Sequence, residues 1–93
     1  MPDKFSDIPT EFDTKILFKK VIAINGYDVL YETWSWDGSY WGESIIFTDD
    51  DVGNLTDKEI RRVVRTSGLV ENRSKIIVNR SYSGFVFCNF NFR

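Results

Sequence analysis

The sequence predicts an α+β domain. A five-stranded antiparallel sheet runs in the element order β-β-β-α-β-β, with one amphipathic helix packed on one face. Three observations carry this. Asn25-Gly26 and Asp37-Gly38 each separate two β-rich runs, and such pairs favour tight hairpins because both central residues of the turn need positive φ. A single stretch, residues 55–67, has helical spacing and a capping signature. A last run, residues 85–92, alternates Phe85, Phe87 and Asn89 against Val86, Cys88, Phe90 and Phe92.

The elements follow in order. Residues 1–14 contain Pro2, Pro9 and several acids without periodicity, and read as an arm with one short helical turn after Pro9. The domain proper is residues 15–93. Lys15 to Ile24, Tyr27 to Trp36 and Ser39 to Thr48 form a meander. Two-residue turns would place Ile24 opposite Tyr27, Ile22 opposite Val29 and Lys20 opposite Tyr31. In the second hairpin they would place Trp36 opposite Ser39, Trp34 opposite Trp41, Glu32 opposite Glu43 and Leu30 opposite Ile45. One face then carries Val21, Leu30, Trp34, Trp36, Trp41, Ile45 and Phe47. The other carries Phe18, Ile22, Ile24, Tyr27, Val29, Tyr31, Tyr40 and Ile46. Neither face is polar, so the sheet is covered on both sides or leaves an aromatic surface open.

Residues 49–54 read as a loop. The helix begins with a capping box of Thr56 and Glu59, Leu55 and Ile60 fit a hydrophobic staple, and Gly68 suits a left-handed stop. Ile60, Val63, Val64 and Ser67 share one side; Lys58, Arg61, Arg62 and Arg65 share the other. Lys75 to Arg80 reads as the fourth strand, Ser81-Tyr82-Ser83-Gly84 as a turn and Phe85 to Phe92 as the fifth strand.

Composition narrows the chemistry. The 93 residues make one small domain, 42% hydrophobic and 16% aromatic. There is no histidine and one cysteine, which excludes histidine-based acid–base chemistry, His or multi-Cys zinc sites and an intrachain disulfide. No cofactor and no metal is expected, and no enzyme activity. Met1-Pro2-Asp3-Lys4-Phe5 does not read as the start of a signal peptide, and no apolar run approaches a membrane span, so a cytoplasmic location without membrane contact is expected. The net charge of −2 hides a split: residues 1–57 carry −8 and residues 58–93 carry +6. A molecule with one acidic and one basic side steers partners.

Three segments are candidate sites. Asp49, Asp50 and Asp51 form an acidic cluster suited to a basic partner and able to mimic nucleic-acid phosphates. Its spacing does not supply an EF-hand. Trp36 and Tyr40 lie at an aromatic hairpin tip, and Trp and Tyr are enriched where proteins bind; Trp34 is expected in the core. Lys58, Arg61, Arg62 and Arg65 form an alternative basic surface for phosphates or an acidic protein. Glu32 and Glu43, if opposite one another, would be a carboxylate pair. Asp57 would support Arg61, and Glu59 would support Arg62, along the helix.

Two resemblances bear on function. Gly84, Phe85, Phe87 and Phe90 resemble the RNP1 segment of RNA-recognition motifs, which implies base stacking on Phe85 and Phe87. Ser83 and Val86 depart from that pattern, and the helix and strand that follow it in the family have no counterpart. In size, and in a surface of charge and aromatics, the chain is similar to the small phage-encoded inhibitors of the anti-CRISPR, anti-defence kind. That resemblance implies a non-catalytic protein acting in the host cytoplasm; a monomer or homodimer is expected. It would bind a host protein or ribonucleoprotein complex and block nucleic-acid access or nuclease recruitment. Direct nucleic-acid binding through the basic helix stripe is the alternative, and a structural or assembly subunit that dimerises through the aromatic sheet face is a third reading.

Overall fold

The computed structural model describes residues 4–6, 8, 14–81 and 84–93. Its elements are β1 (Thr14–Ile24), β2 (Tyr27–Trp36), β3 (Tyr40–Thr48), α1 (Asp49–Val52), α2 (Asp57–Arg65), β4 (Ile77–Asn79) and β5 (Phe85–Phe90). All strand pairs are antiparallel, and the five strands lie in the order β1-β2-β3-β5-β4. This is the α+β class that the patterning predicts, with one helix more. The expected helical turn after Pro9, and Tyr82 and Ser83 of the expected turn, fall outside the described residues.

The first hairpin has the predicted register, with Ile24 opposite Tyr27 and Lys20 opposite Tyr31. Asn25 and Gly26 both take positive φ, 50° and 85°, as the two-residue turn requires. The second hairpin is one residue longer in its loop. Asp37 and Gly38 take positive φ and the Ser39 amide donates to the Trp36 carbonyl at 3.1 Å. Ser39 itself stays outside the ladder, so Trp36 pairs with Tyr40, Trp34 with Gly42, Glu32 with Ser44 and Leu30 with Ile46. A slip of one residue exchanges the faces of a whole strand. Ile45 and Phe47 therefore share a face with Val29 and Tyr31, while Tyr40 and Ile46 share one with Trp36 and Leu30.

The face under the helices holds the main core. Val29, Ile45, Phe47, Val86, Cys88 and Phe90 of the sheet meet Val52, Ile60 and Val64 of the helices. The acidic triplet, expected in a loop, forms the first turn of α1, because carboxylates favour a helix N-terminus. Helix α2 is shorter than predicted but starts as predicted. The Thr56 hydroxyl accepts from the Glu59 amide at 3.1 Å, and the Glu59 carboxylate accepts from the Thr56 amide at 3.0 Å. Hydrogen bonding from the Thr56 amide, then from its side chain, holds the Glu59 carboxyl below its usual range, with the Arg62 charge adding to it. Thr56→Ala is expected to cost about 1 kcal/mol, read as a lower denaturant midpoint with unchanged slope.

β5 stops earlier than predicted. Asn91 takes φ 53°, a left-handed conformation that asparagine tolerates better than most residues. The ladder resumes one residue later, where the amides of Trp41 and Arg93 exchange bonds with each other's carbonyls at 3.1 and 2.8 Å. Asn91 is thus a bulge, and it aims Phe92 onto the face opposite the helices. The outer strand β1 is blunted for pairing by a second bulge at Leu17 and by exposed Lys15, Lys19 and Lys20.

Candidate binding surface

The sheet's second face, turned away from the helices, has two unlike halves. One half is covered by the arm: Phe5 and Ile8 pack on Leu30, Ile46, Phe85 and Phe87. Lys4 anchors the arm by donating to the Asp51 carboxylate at 3.0 Å. Phe85 and Phe87 are buried there, so the base stacking that the RNP1 likeness implies has no exposed rings to use.

The other half is open and aromatic. Trp34 lies across Gly42 of the neighbouring strand, and glycine within a strand permits such a close approach. Its indole N–H donates to the Ser44 hydroxyl at 2.8 Å, and Ser44 donates to Asn89 Oδ1 at 2.5 Å. Phe92 meets its edge, with ring centroids 6.2 Å apart. Trp36 and Tyr40 pair at 5.9 Å and remain 46% and 56% exposed. Ile16 of β1 pairs beside Trp34, and Ile77 of β4 lies at the far side of Phe92. Trp34, expected in the core, is half-buried in this surface. Its hydrogen bond to Ser44 and its contact with Gly42 fix the Trp34 ring.

The acidic cluster is not part of it. Asp49 follows the last residue of β3 and Tyr40 is the first, so the two are separated by about 30 Å at the rise of an extended strand. The sequence candidates therefore make two places, not one. Asp51 is engaged by Lys4, and the triplet as a whole sits where a helix N-terminus stabilises negative charge.

The basic stripe remains on α2. Arg65 donates to the Ser74 carbonyl at 3.2 Å. Asp57 pairs with Arg80 at 2.9 Å instead of supporting Arg61. Among the described residues, Lys58, Arg61 and Arg62 form no ion pair. Of the ion pairs among the described residues, only Asp57–Arg80 joins the acidic half of the chain to the basic half.

Tyr31 and Glu43 are tied into the fold. Glu32 and Glu43 stand on opposite faces, which removes the carboxylate pair: Glu32 aligns with Ser44 and Glu43 with Thr33. Glu43 instead accepts from the Tyr31 hydroxyl at 2.5 Å and from Asn91 Nδ2 at 2.8 Å. Burial, then the bond to Glu43 and its charge, pushes the Tyr31 phenol up to about 12. The folded state therefore holds this proton more tightly than an unfolded tyrosine near 10. Stability from this group is complete below about pH 10 and is lost as pH rises from about 10 toward about 12. Urea unfolding across that range should show the loss, and Tyr31→Phe should remove this part of it. Burial likewise pushes the Cys88 thiol up to about 12, which leaves it an inert core group.

Among the described residues, no three His, Cys, Asp or Glu side chains gather to hold a metal ion, and no helix is long and apolar enough to cross a membrane. Comparison with family models, with curated proteins and with solved structures finds no match. Sequence reasoning reached Trp36 and Tyr40 but missed Trp34 and Phe92 as surface. Gly42 inside a strand was the available signal for Trp34; Phe92 depends on the Asn91 bulge, which local sequence does not announce.

Proposed function

We propose that the protein is a non-catalytic binding protein that docks on a protein partner through the open aromatic half of its sheet, with Trp36 and Tyr40 as anchors. The observation that supports this most is the exposed ring pair of Trp36 and Tyr40 beside a Trp34 held by Ser44 and Gly42. Trp and Tyr anchors of this kind dominate binding energy where they occur. Small size fits an inhibitor that works by occlusion. The nearest functional type is the anti-CRISPR, anti-defence inhibitor, bound in the host cytoplasm to a protein or ribonucleoprotein complex.

A second reading is favoured by a separate observation. The Lys58, Arg61 and Arg62 side chains of α2 have no ion-pair partner among the described residues, and such a stripe suits phosphates. Titration of labelled single- and double-stranded DNA and RNA at about 50 and 200 mM salt separates the two, because phosphate contacts weaken steeply over that range. The proposed reading expects no binding at either salt. Salt-sensitive binding that Arg61→Glu with Arg65→Glu abolishes would replace it with the second.

A further inference from the structure

The aromatic surface ends, at its β4 side, in an open recess of about 330 Å³. Its apolar floor is Ile77 and Phe92, which are 52% and 43% exposed. Its wall is the turn of residues 71–75. The polar groups of that wall are nearly all committed. Asn91 accepts from the Glu71 amide and donates to Glu43 and to the Leu69 carbonyl. The Ser74 hydroxyl accepts from the Asn91 amide and donates to the Lys75 carbonyl, and the Ser74 carbonyl accepts from Arg65. The Glu71 carboxylate is paired with Arg93.

Two cations remain. Among the described residues, neither Arg73 nor Lys75 makes an ion pair or a side-chain hydrogen bond, and both line the recess. Arg73 stands at φ 70°, in a turn closed by the Ser74 amide donating to the Glu71 carbonyl at 3.0 Å. That left-handed position suits glycine, so an arginine there is held at some conformational cost. Together with Arg93 against Glu71, the recess carries a net positive charge beside an apolar floor.

We infer that this recess receives a segment of the partner protein that sets a carboxylate beside an apolar side chain, the carboxylate on Arg73 and Lys75 and the apolar group on Phe92 and Ile77. The inference rests on the proposed protein docking and names the chemistry of what docks. Charge complementarity supplies the acid, since the uncommitted polar groups of the wall are cationic apart from Asn72. A nucleic-acid strand fits less well. It would need cations repeated along the rings, whereas the surface from Trp34 to Tyr40 offers Ile16, Trp36 and Gly42 and ends at the exposed Asp37 of the hairpin loop.

The test is a titration of the ¹⁵N-labelled protein with an acetylated, amidated peptide of sequence Glu-Phe-Glu-Leu-Glu, followed by amide chemical shifts. Saturable shifts at residues 72–77 and 91–93 are expected, with roughly tenfold weaker binding when glutamine replaces each glutamate, because charge-assisted hydrogen bonds are lost. Arg73→Gly with Lys75→Gln removes both cations while leaving a residue suited to φ 70°, and should abolish the shifts in a chain that still folds. Equal binding of the glutamine peptide, shifts that bypass this segment, or tighter binding of an oligothymidylate would each overturn the inference. A protein partner that loses affinity for Trp36→Ala with Tyr40→Ala, yet binds Arg73→Gly with Lys75→Gln unchanged, would overturn it too while leaving the proposed function standing.

Discussion

Phe47→Ala is expected to destabilise the fold by about 3–5 kcal/mol, the usual cost of removing a fully buried ring and leaving its cavity. Phe47 has no exposed surface, lies on the central strand β3 and meets Tyr27 edge-on, with centroids 5.9 Å apart. Its neighbours are held by a sheet on one side and helices on the other, so little collapse can fill the space. A domain of this length has about 5–14 kcal/mol of total stability at ordinary per-residue values. The substitution therefore removes a large share, and urea unfolding should show it as a midpoint far below that of the parent. Phe92→Ala is the comparison. Phe92 is half-exposed at the aromatic surface, so its loss should move the midpoint little while removing the floor of the recess. A large effect at Phe92 with a small one at Phe47 would mean that the core lies on the other face.

Gly42→Ala is expected to have the second-largest effect, and to act on the surface more than on the core. A β-carbon at Gly42 would lie 2.4 Å from Trp34 Cζ2 and 2.7 Å from Cη2, well inside contact distance. The backbone of β3 is fixed by ladders on both sides, so the indole must yield. Lifting it breaks the bond to Ser44 and the edge contact with Phe92. Overpacking of this kind costs about 1–3 kcal/mol. Tryptophan emission should shift to the red as the ring enters water, and partner affinity should fall even where the chain remains folded. An unchanged spectrum would show that Trp34 does not lie on Gly42.

Residues decide how much of this was legible from sequence. Asn25-Gly26 named its turn and its register because the next residues, Ile24 and Tyr27, have no competing alignment. Asp37-Gly38 named the turn but not the register: turn chemistry does not say whether Ser39 joins the ladder. That single residue moved Ile45 and Phe47 under the helices and Tyr40 beside Trp36. The start of α2 was fully readable from Thr56 and Glu59, whose bonds are local. The helical state of Asp49–Asp51 was not, since three acids suit a loop and a helix start equally. For the surface, the hairpin tip exposed Trp36 and Tyr40 by position alone. Trp34, Phe92 and the recess of Arg73 and Lys75 required knowing that Asn91 bulges β5 and ties residues 69–74 to the sheet, which are contacts between segments distant in sequence.

The proposed contact is the aromatic half of the sheet, not the acidic helix start or the basic helix stripe. It is tested most directly by affinity capture from a lysate of the cells in which the protein acts. The parent is compared with three surface variants: Trp36→Ala with Tyr40→Ala, Asp49→Asn with Asp50→Asn, and Arg61→Glu with Arg62→Glu. The aromatic variant should lose the parent's captured protein while the two charge variants keep it. Capture retained by the aromatic variant and lost in either charge variant would contradict the account and move the site to that charge cluster.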